Sequence, residues 1–159
     1  LSVFITSVMG VIFISFISVG NEADQVIFEN MDEQAKARHY TAVADNYLKG
    51  LNEQNLELIM SLYADNATVE DPVGSEIVSG KEAVYKFYSG AVTMDLSLMR
   101  TGPVRVAGVE AAFPFQLRMD VDGVPMVTDI IDVFHFNEEG KIVSMRAFWG
   151  PSNRRKATE

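Results

Sequence analysis

Apolar residues recur at helical spacing early in the chain: Tyr40, Val43, Ala44, Tyr47, Leu48 and Leu51 stand at i, i+3, i+4, i+7, i+8 and i+11. They form one face of an amphipathic helix. Asn55 is placed to cap a second, shorter helix that turns Leu56, Ile59, Met60 and Tyr63 inward. Residues 67–71 then read as extended, and Pro72 and Gly74 end that strand. Ser79 and Glu82 have capping-box spacing for a third helix, whose apolar side would be Val84, Phe87 and Tyr88.

Beyond Gly90 the period changes. β-branched and aromatic residues dominate residues 96–106, 111–121, 124–136 and 141–149, which read as strands of one sheet. Asp122-Gly123 is a two-residue hairpin signal, and Asn137-Glu138-Glu139-Gly140 is a longer turn, so most of the sheet should be antiparallel. Three helices followed by a meander make an α+β domain. There is no internal repeat and no low-complexity segment.

Residues 1–20 are an uncharged apolar run long enough to span a bilayer. Ser18-Val19-Gly20 offers the small-x-small pattern of a cleaved signal peptide, but the positively charged start of such peptides is missing. An uncleaved anchor is a second reading. A third is that translation begins at Met31 and residues 1–30 come from a misplaced start. We take the third as the working expectation. It divides the chain into a segment 1–30, a domain 31–153 and a tail 154–159. It also places the protein in the cytoplasm, with export or membrane contact only if residues 1–20 are retained.

Composition narrows the function. With 159 residues, 48% of them apolar, the chain suits one domain with a full core. A net charge of -9 argues against a nucleic-acid surface. Arg154-Arg155-Lys156 is too short to change that and is expected to be a solvated end. The absence of cysteine removes disulfides and thiolate chemistry. His39 and His135 do not form the i, i+4 pair of a helical zinc site, so no metal is expected. Gly74 to Glu82 resembles a phosphate loop, but its spacing is one residue too long and Glu82 replaces the magnesium-binding hydroxyl. Asn66-Ala67-Thr68 is a glycosylation sequon that means something only in a secreted eukaryotic protein.

Three polar side chains stand out against this apolar background. Tyr47 lies on the apolar face of the first helix, and taken alone reads as a core tyrosine. Asp71 precedes Pro72 and taken alone reads as a strand end. Asp132 resists such a reading, because Ile130, Phe134 and Phe136 share its strand face and none can pair with its charge. A buried Asp tends to find a partner or to keep its proton. A neutral acid beside a Tyr hydroxyl can hold a substrate carbonyl oxygen as it gains negative charge, leaving the other Asp to act as base.

The stretches Tyr63-Ala64-Asp65-Asn66-Ala67-Thr68-Val69-Glu70-Asp71-Pro72, Thr101-Gly102-Pro103-Val104-Arg105 and Ile131-Asp132-Val133 closely resemble the bacterial ketosteroid isomerases. The resemblance runs over residues 31–153, and its intervals fit: Tyr47 precedes Asp71 by 24 residues and Asp132 follows it by 61. Residues 1–30 have no counterpart. The resemblance implies the cone-shaped nuclear-transport-factor-2-like fold, with three N-terminal helices packed on a strongly curved, mostly antiparallel sheet around a deep apolar pocket, and a homodimer. It implies an isomerase of 3-oxo-Δ5-steroids that needs no cofactor. Asp71 would carry a proton from C4 to C6, while Tyr47 and protonated Asp132 donate hydrogen bonds to the C3 oxygen. That is the family's established division of roles and not a deduction from spacing.

Tyr63 and Tyr88 match tyrosines that, in some members, form a hydrogen-bond chain with the oxyanion-hole tyrosine. Trp149 matches a position where an indole N–H can hold the carboxylate of Asp71. Phe87, Met99, Val104, Phe113, Phe115, Met119 and Met145 are candidate lining for a flat hydrocarbon skeleton, and plain core packing would explain them equally. Other readings stay open: a polyketide cyclase or dehydratase of the same superfamily, or a non-catalytic steroid or small-ligand binding module.

Overall fold

The computed structural model describes Phe28 and residues 30–157. The apolar run at residues 1–20, and the readings placed on it, lie outside the described residues. Among the described residues no helix is long and apolar enough to cross a membrane.

Helix α1 (Glu33–Asn52) starts where the Asp32 carboxylate accepts the Ala35 N–H at 2.7 Å, satisfying a first-turn donor. It buries Tyr40, Val43, Ala44, Tyr47, Leu48 and Leu51, the face that the periodicity marks. Helix α2 (Leu56–Ser61) is capped by Asn55, which accepts from the Leu58 N–H at 2.9 Å. Strand β1 (Tyr63–Glu70) follows at once, so Tyr63 opens a strand where the sequence suggested the inward side of α2; it is buried in either case.

After the short strand β2 (Val78–Ser79) comes helix α3 (Lys81–Ala91), which buries Val84 and Tyr88. The expected capping box is not formed. Ser79 is committed to the β1–β2 ladder opposite Thr68, and Gly80 becomes the N-cap, with φ of +85° and no side-chain cap bond. A glycine turns the chain here because the left-handed region is open to it at little cost.

The remaining strands are β3 (Ser97–Arg100), β4 (Arg105–Ala107), β5 (Glu110–Val121), β6 (Val124–Phe136), β7 (Ile142–Phe148) and β8 (Arg154–Lys156). Residues 96–106, expected as one strand, are two, because Gly102 and Pro103 interrupt the ladder with β5 and a proline has no N–H to give it. Asp122 and Gly123 both take positive φ, +53° and +77°, as a tight hairpin between β5 and β6 requires.

The curved sheet runs β2-β1-β7-β6-β5-β3, with β4 added on β5 and β8 on β6. Every pairing is antiparallel except β1 with β7, which is parallel. Helix α1 packs on the concave side: Tyr40 stacks on Phe136 at 3.9 Å between ring centroids, and Tyr47 meets Phe134 edge-on at 5.2 Å.

The C-terminal tail departs from expectation. Instead of a solvated end, residues 154–156 form β8, laid antiparallel on residues 126–128 of β6 after a 3₁₀ turn at Pro151–Asn153. The side chains hold it there. Arg155 pairs with Asp129 on the outside, while the Arg154 Nε donates to the Thr128 hydroxyl at 3.2 Å on the inside.

Candidate active site

A cavity of about 490 Å³ opens between the helices and the concave face of the sheet. That is within the usual range for a small-molecule site. Polar atoms enter it from Tyr47, Asp71, Tyr88, Asp132, Trp149 and Arg154, and the rest of its wall is apolar.

Strand alternation brings the acids in. On β6 the inward positions are Thr128, Ile130, Asp132, Phe134 and Phe136, all buried, so Asp132 stands midway along an otherwise greasy stripe. It is 1% exposed, and neither carboxyl oxygen has a hydrogen-bond partner among the described residues. Burial, and then the charge of Asp71, push its carboxyl well above the usual range. The Tyr47 hydroxyl beside it offsets only part of that rise. The neutral acid is the favoured form.

Asp71 follows β1 directly and is half-buried. The Trp149 indole N–H donates to its Oδ1 at 2.6 Å. Burial raises its carboxyl and the indole bond lowers it, so it ionises far more readily than Asp132. Because Asp71 ionises first, its charge weighs on Asp132 and the reverse does not occur.

Three phenols adjoin the acids. The Tyr63 and Tyr88 hydroxyls are 2.5 Å apart, and the Tyr88 ring meets Tyr47 edge-on at 6.0 Å. Burial raises all three well above an ordinary tyrosine, so they stand as neutral donors. Tyr47 and Tyr88 face the cavity, whereas Tyr63 touches it only through Tyr88.

Of the apolar candidates, Phe87, Phe115 and Met119 line the cavity. Four others lie elsewhere. Met99 is 57% exposed, because its neighbour Leu98 takes the inward position on β3. Val104 is half-buried and packs against the core in the break between β3 and β4. Phe113 is fully buried behind the wall, stacked on Phe115 at 5.8 Å. Met145 is core. Leu98, Leu117 and Ile130 line the cavity instead. Alternation around Phe115, Met119 and Asp132 was the signal for the last two. Arg154 carried no signal, since nothing in a short basic stretch shows that it returns to the sheet.

Among the described residues no group of three or more His, Asp or Glu side chains is arranged to hold a metal ion. What the cavity offers is a carboxylate held at one oxygen, a neutral carboxylic acid and a phenol, all in apolar surroundings. Such a set can take up a proton and stabilise an oxyanion.

Residues 44–145 match the family model of the SnoaL-like domain. A steroid Delta-isomerase from Nocardioides simplex is 38% identical over 112 residues, which cover 70% of this chain and 90% of that protein. The epoxide hydrolase LasB of Streptomyces lasalocidi is 27% identical over 113 residues, covering 68% of this chain but only 40% of that longer protein. Among solved structures, the epoxide hydrolase/cyclase-like enzyme SalBIII, described for its role in pyran ring formation in the polyether salinomycin, superposes with a TM-score of 0.69. It is 28% identical, over 79% of this chain and 98% of its own. The chain belongs to the SnoaL-like family and has its nuclear-transport-factor-2-like fold, three helices on a curved, unclosed and mostly antiparallel sheet.

Proposed function

We propose that the protein is a steroid Δ-isomerase that moves the double bond of 3-oxo-Δ5-steroids into conjugation at Δ4. The observation that carries this reading is the pair of unlike carboxyls in one apolar cavity: Asp71, held by the Trp149 indole, and Asp132, buried without a partner. The 38% identity to a steroid Delta-isomerase supports it.

Ionised Asp71 takes a proton from C4. The C4–H electron pair moves to form the C3–C4 double bond, and the carbonyl pair moves onto the C3 oxygen, giving a dienolate. Tyr47 and neutral Asp132 donate hydrogen bonds to that oxygen as its charge grows. Asp71 then returns the proton to C6, the carbonyl re-forms, and the double bond is left between C4 and C5. The proton taken is the proton returned, and no cofactor is needed. Trp149 holds one carboxylate oxygen and leaves the other for the proton. The Tyr63–Tyr88 pair orients the Tyr47 side of the oxyanion site.

In the dimer that this reading includes, a second copy covers the outer sheet face. Ile131 and Phe148, opposite each other on β6 and β7, are exposed there. Light scattering at micromolar concentration checks it, and a monomer counts against it.

The test of the activity is the ultraviolet rise of a conjugated enone when the purified protein meets 5-androstene-3,17-dione, with Asp71→Asn as control. Rapid appearance that the control abolishes is expected. A second reading has support in LasB and SalBIII: the same acid pair opening an epoxide, Asp132 protonating the oxygen and Asp71 activating the attacking hydroxyl. A folded protein that leaves the steroid unconverted but consumes an epoxide would favour it.

A further inference from the structure

Arg154 differs from the arginines around it. Arg155, its neighbour in β8, pairs with Asp129, and Arg146 pairs with Glu70 at 3.2 Å, so both are neutralised by the protein itself. Arg154 has no carboxylate partner among the described residues. Its Nε donates to the buried Thr128 hydroxyl, and its guanidinium lies over the Trp149 ring, 5.1 Å from the centroid. Its terminal NH₂ groups make no hydrogen bond among the described residues, and the side chain is part of the cavity wall. The result is a half-buried cation, fixed at its stem, with an open fork.

The sheet register shows how far the strand position that carries Arg154 lies from that of Asp132. Arg154 stands opposite Thr128, and Thr128 and Asp132 are both inward residues of β6, with Ile130 between them. Four residues of strand at about 3.3 Å each separate them by roughly 13 Å. That is about the span of a fused four-ring skeleton with its end substituents. A ligand whose carbonyl lies at Tyr47 and Asp132 and whose skeleton runs along β6 would bring its far end to the part of the cavity wall that Arg154 forms.

A guanidinium presents two parallel N–H donors, which match a carboxylate with a bidentate pair and a ketone with only one bond. A half-buried charge against an apolar wall also favours a ligand that neutralises it. Arg154 is not occupied by the base, since no ion pair joins it to Asp71 among the described residues and the Asp71 carboxylate is held by the Trp149 indole instead. We propose that Arg154 is a specificity-determining residue that binds a carboxylate borne by the substrate at the end opposite its ring carbonyl. The inference rests on the steroid-isomerase reading and narrows its substrate class to steroids with an acidic side chain.

The test is calorimetric binding of three non-reacting ligands to the purified protein: androst-4-ene-3,17-dione, 3-oxoandrost-4-ene-17β-carboxylate and the methyl ester of that acid. A charge-assisted bidentate contact should make the acid bind roughly tenfold to 10²-fold more tightly than either neutral ligand. Arg154→Met should remove most of that advantage. Equal affinities for acid and ester in the wild type overturn the proposal with no variant needed, and so does an advantage that survives Arg154→Met. The isomerisation assay separates the two levels. A protein that converts 5-androstene-3,17-dione but shows no preference for the acid overturns this inference only. A protein that neither binds these ligands nor converts the ketone overturns the isomerase reading and this inference with it.

Discussion

The Trp149 indole donates to Asp71 Oδ1 at 2.6 Å, although the two residues are 78 apart in the chain. They meet because β1 and β7 are parallel neighbours whose ladder ends at Glu70 opposite Arg146, so Asp71 leaves β1 at the end of the sheet toward which β7 runs on to Phe148. The Val73 N–H, donating to the Ala147 carbonyl at 2.8 Å, ties the two exits together. One carboxylate oxygen is thereby fixed, and the other carries no hydrogen bond among the described residues and is open to the cavity.

Trp149→Phe should move the acid limb of the activity profile to higher pH. The Asp71 carboxyl is raised by burial and lowered by the indole bond, and only its ionised form can act as base. Removing the bond leaves burial unopposed, so a higher pH is needed to ionise the carboxyl. Log kcat/KM against pH for both proteins checks this, and an unmoved limb would mean that the indole bond does not act on the base.

Asp71→Asn should lower kcat by about 10² to 10⁴, the usual loss when a general base is removed. Affinity for the product enone should change little, because the substitution removes a charge and almost no apolar area. Turnover and product binding measured on one preparation separate the two effects.

Tyr47→Phe and Asp132→Ala should each lower kcat by about 10² to 10³, the typical cost of one oxyanion donor. Tyr63→Phe should cost less, under about tenfold, because its hydroxyl reaches the site only through Tyr88. Rates for the three variants, with circular dichroism as the check on folding, test the ranking. A Tyr63→Phe loss as large as that of Tyr47→Phe would place both hydroxyls in one indivisible unit.

Local pattern carried most of the fold. The helical stripe from Tyr40 to Leu51, the Asn55 cap and the Asp122-Gly123 hairpin are short-range signals, and the structure forms each of them. Asp132 was legible for the same reason, as a polar residue on an apolar strand face. What depended on distant pairing was not legible. Ser79 could not reveal that a strand partner would claim it, and Met99 could not reveal which side of β3 would face the cavity. Arg154 is the largest gap, because its place at the wall depends on a turn that lays residues 154–156 back on β6.

Asp132→Asn should stabilise the fold, and by more as pH rises. In the native protein the carboxyl is buried without a partner and is raised well above its unfolded value of about 3.9. Below that pH both states hold the proton, and the group contributes no pH dependence. Above it the unfolded chain releases the proton while the native one keeps it, so the native state binds more protons and stability falls with pH. The slope is about 1.4 kcal/mol per pH unit, and it lasts until the raised native carboxyl itself ionises. Asparagine is close in shape and does not titrate, so the variant escapes the loss. Urea unfolding of both proteins from pH 4 to 7 should show a difference that widens steadily in favour of Asp132→Asn. A difference that stays flat would mean that Asp132 ionises in the native state as it does in the unfolded chain, and the neutral acid required at the oxyanion site would not exist.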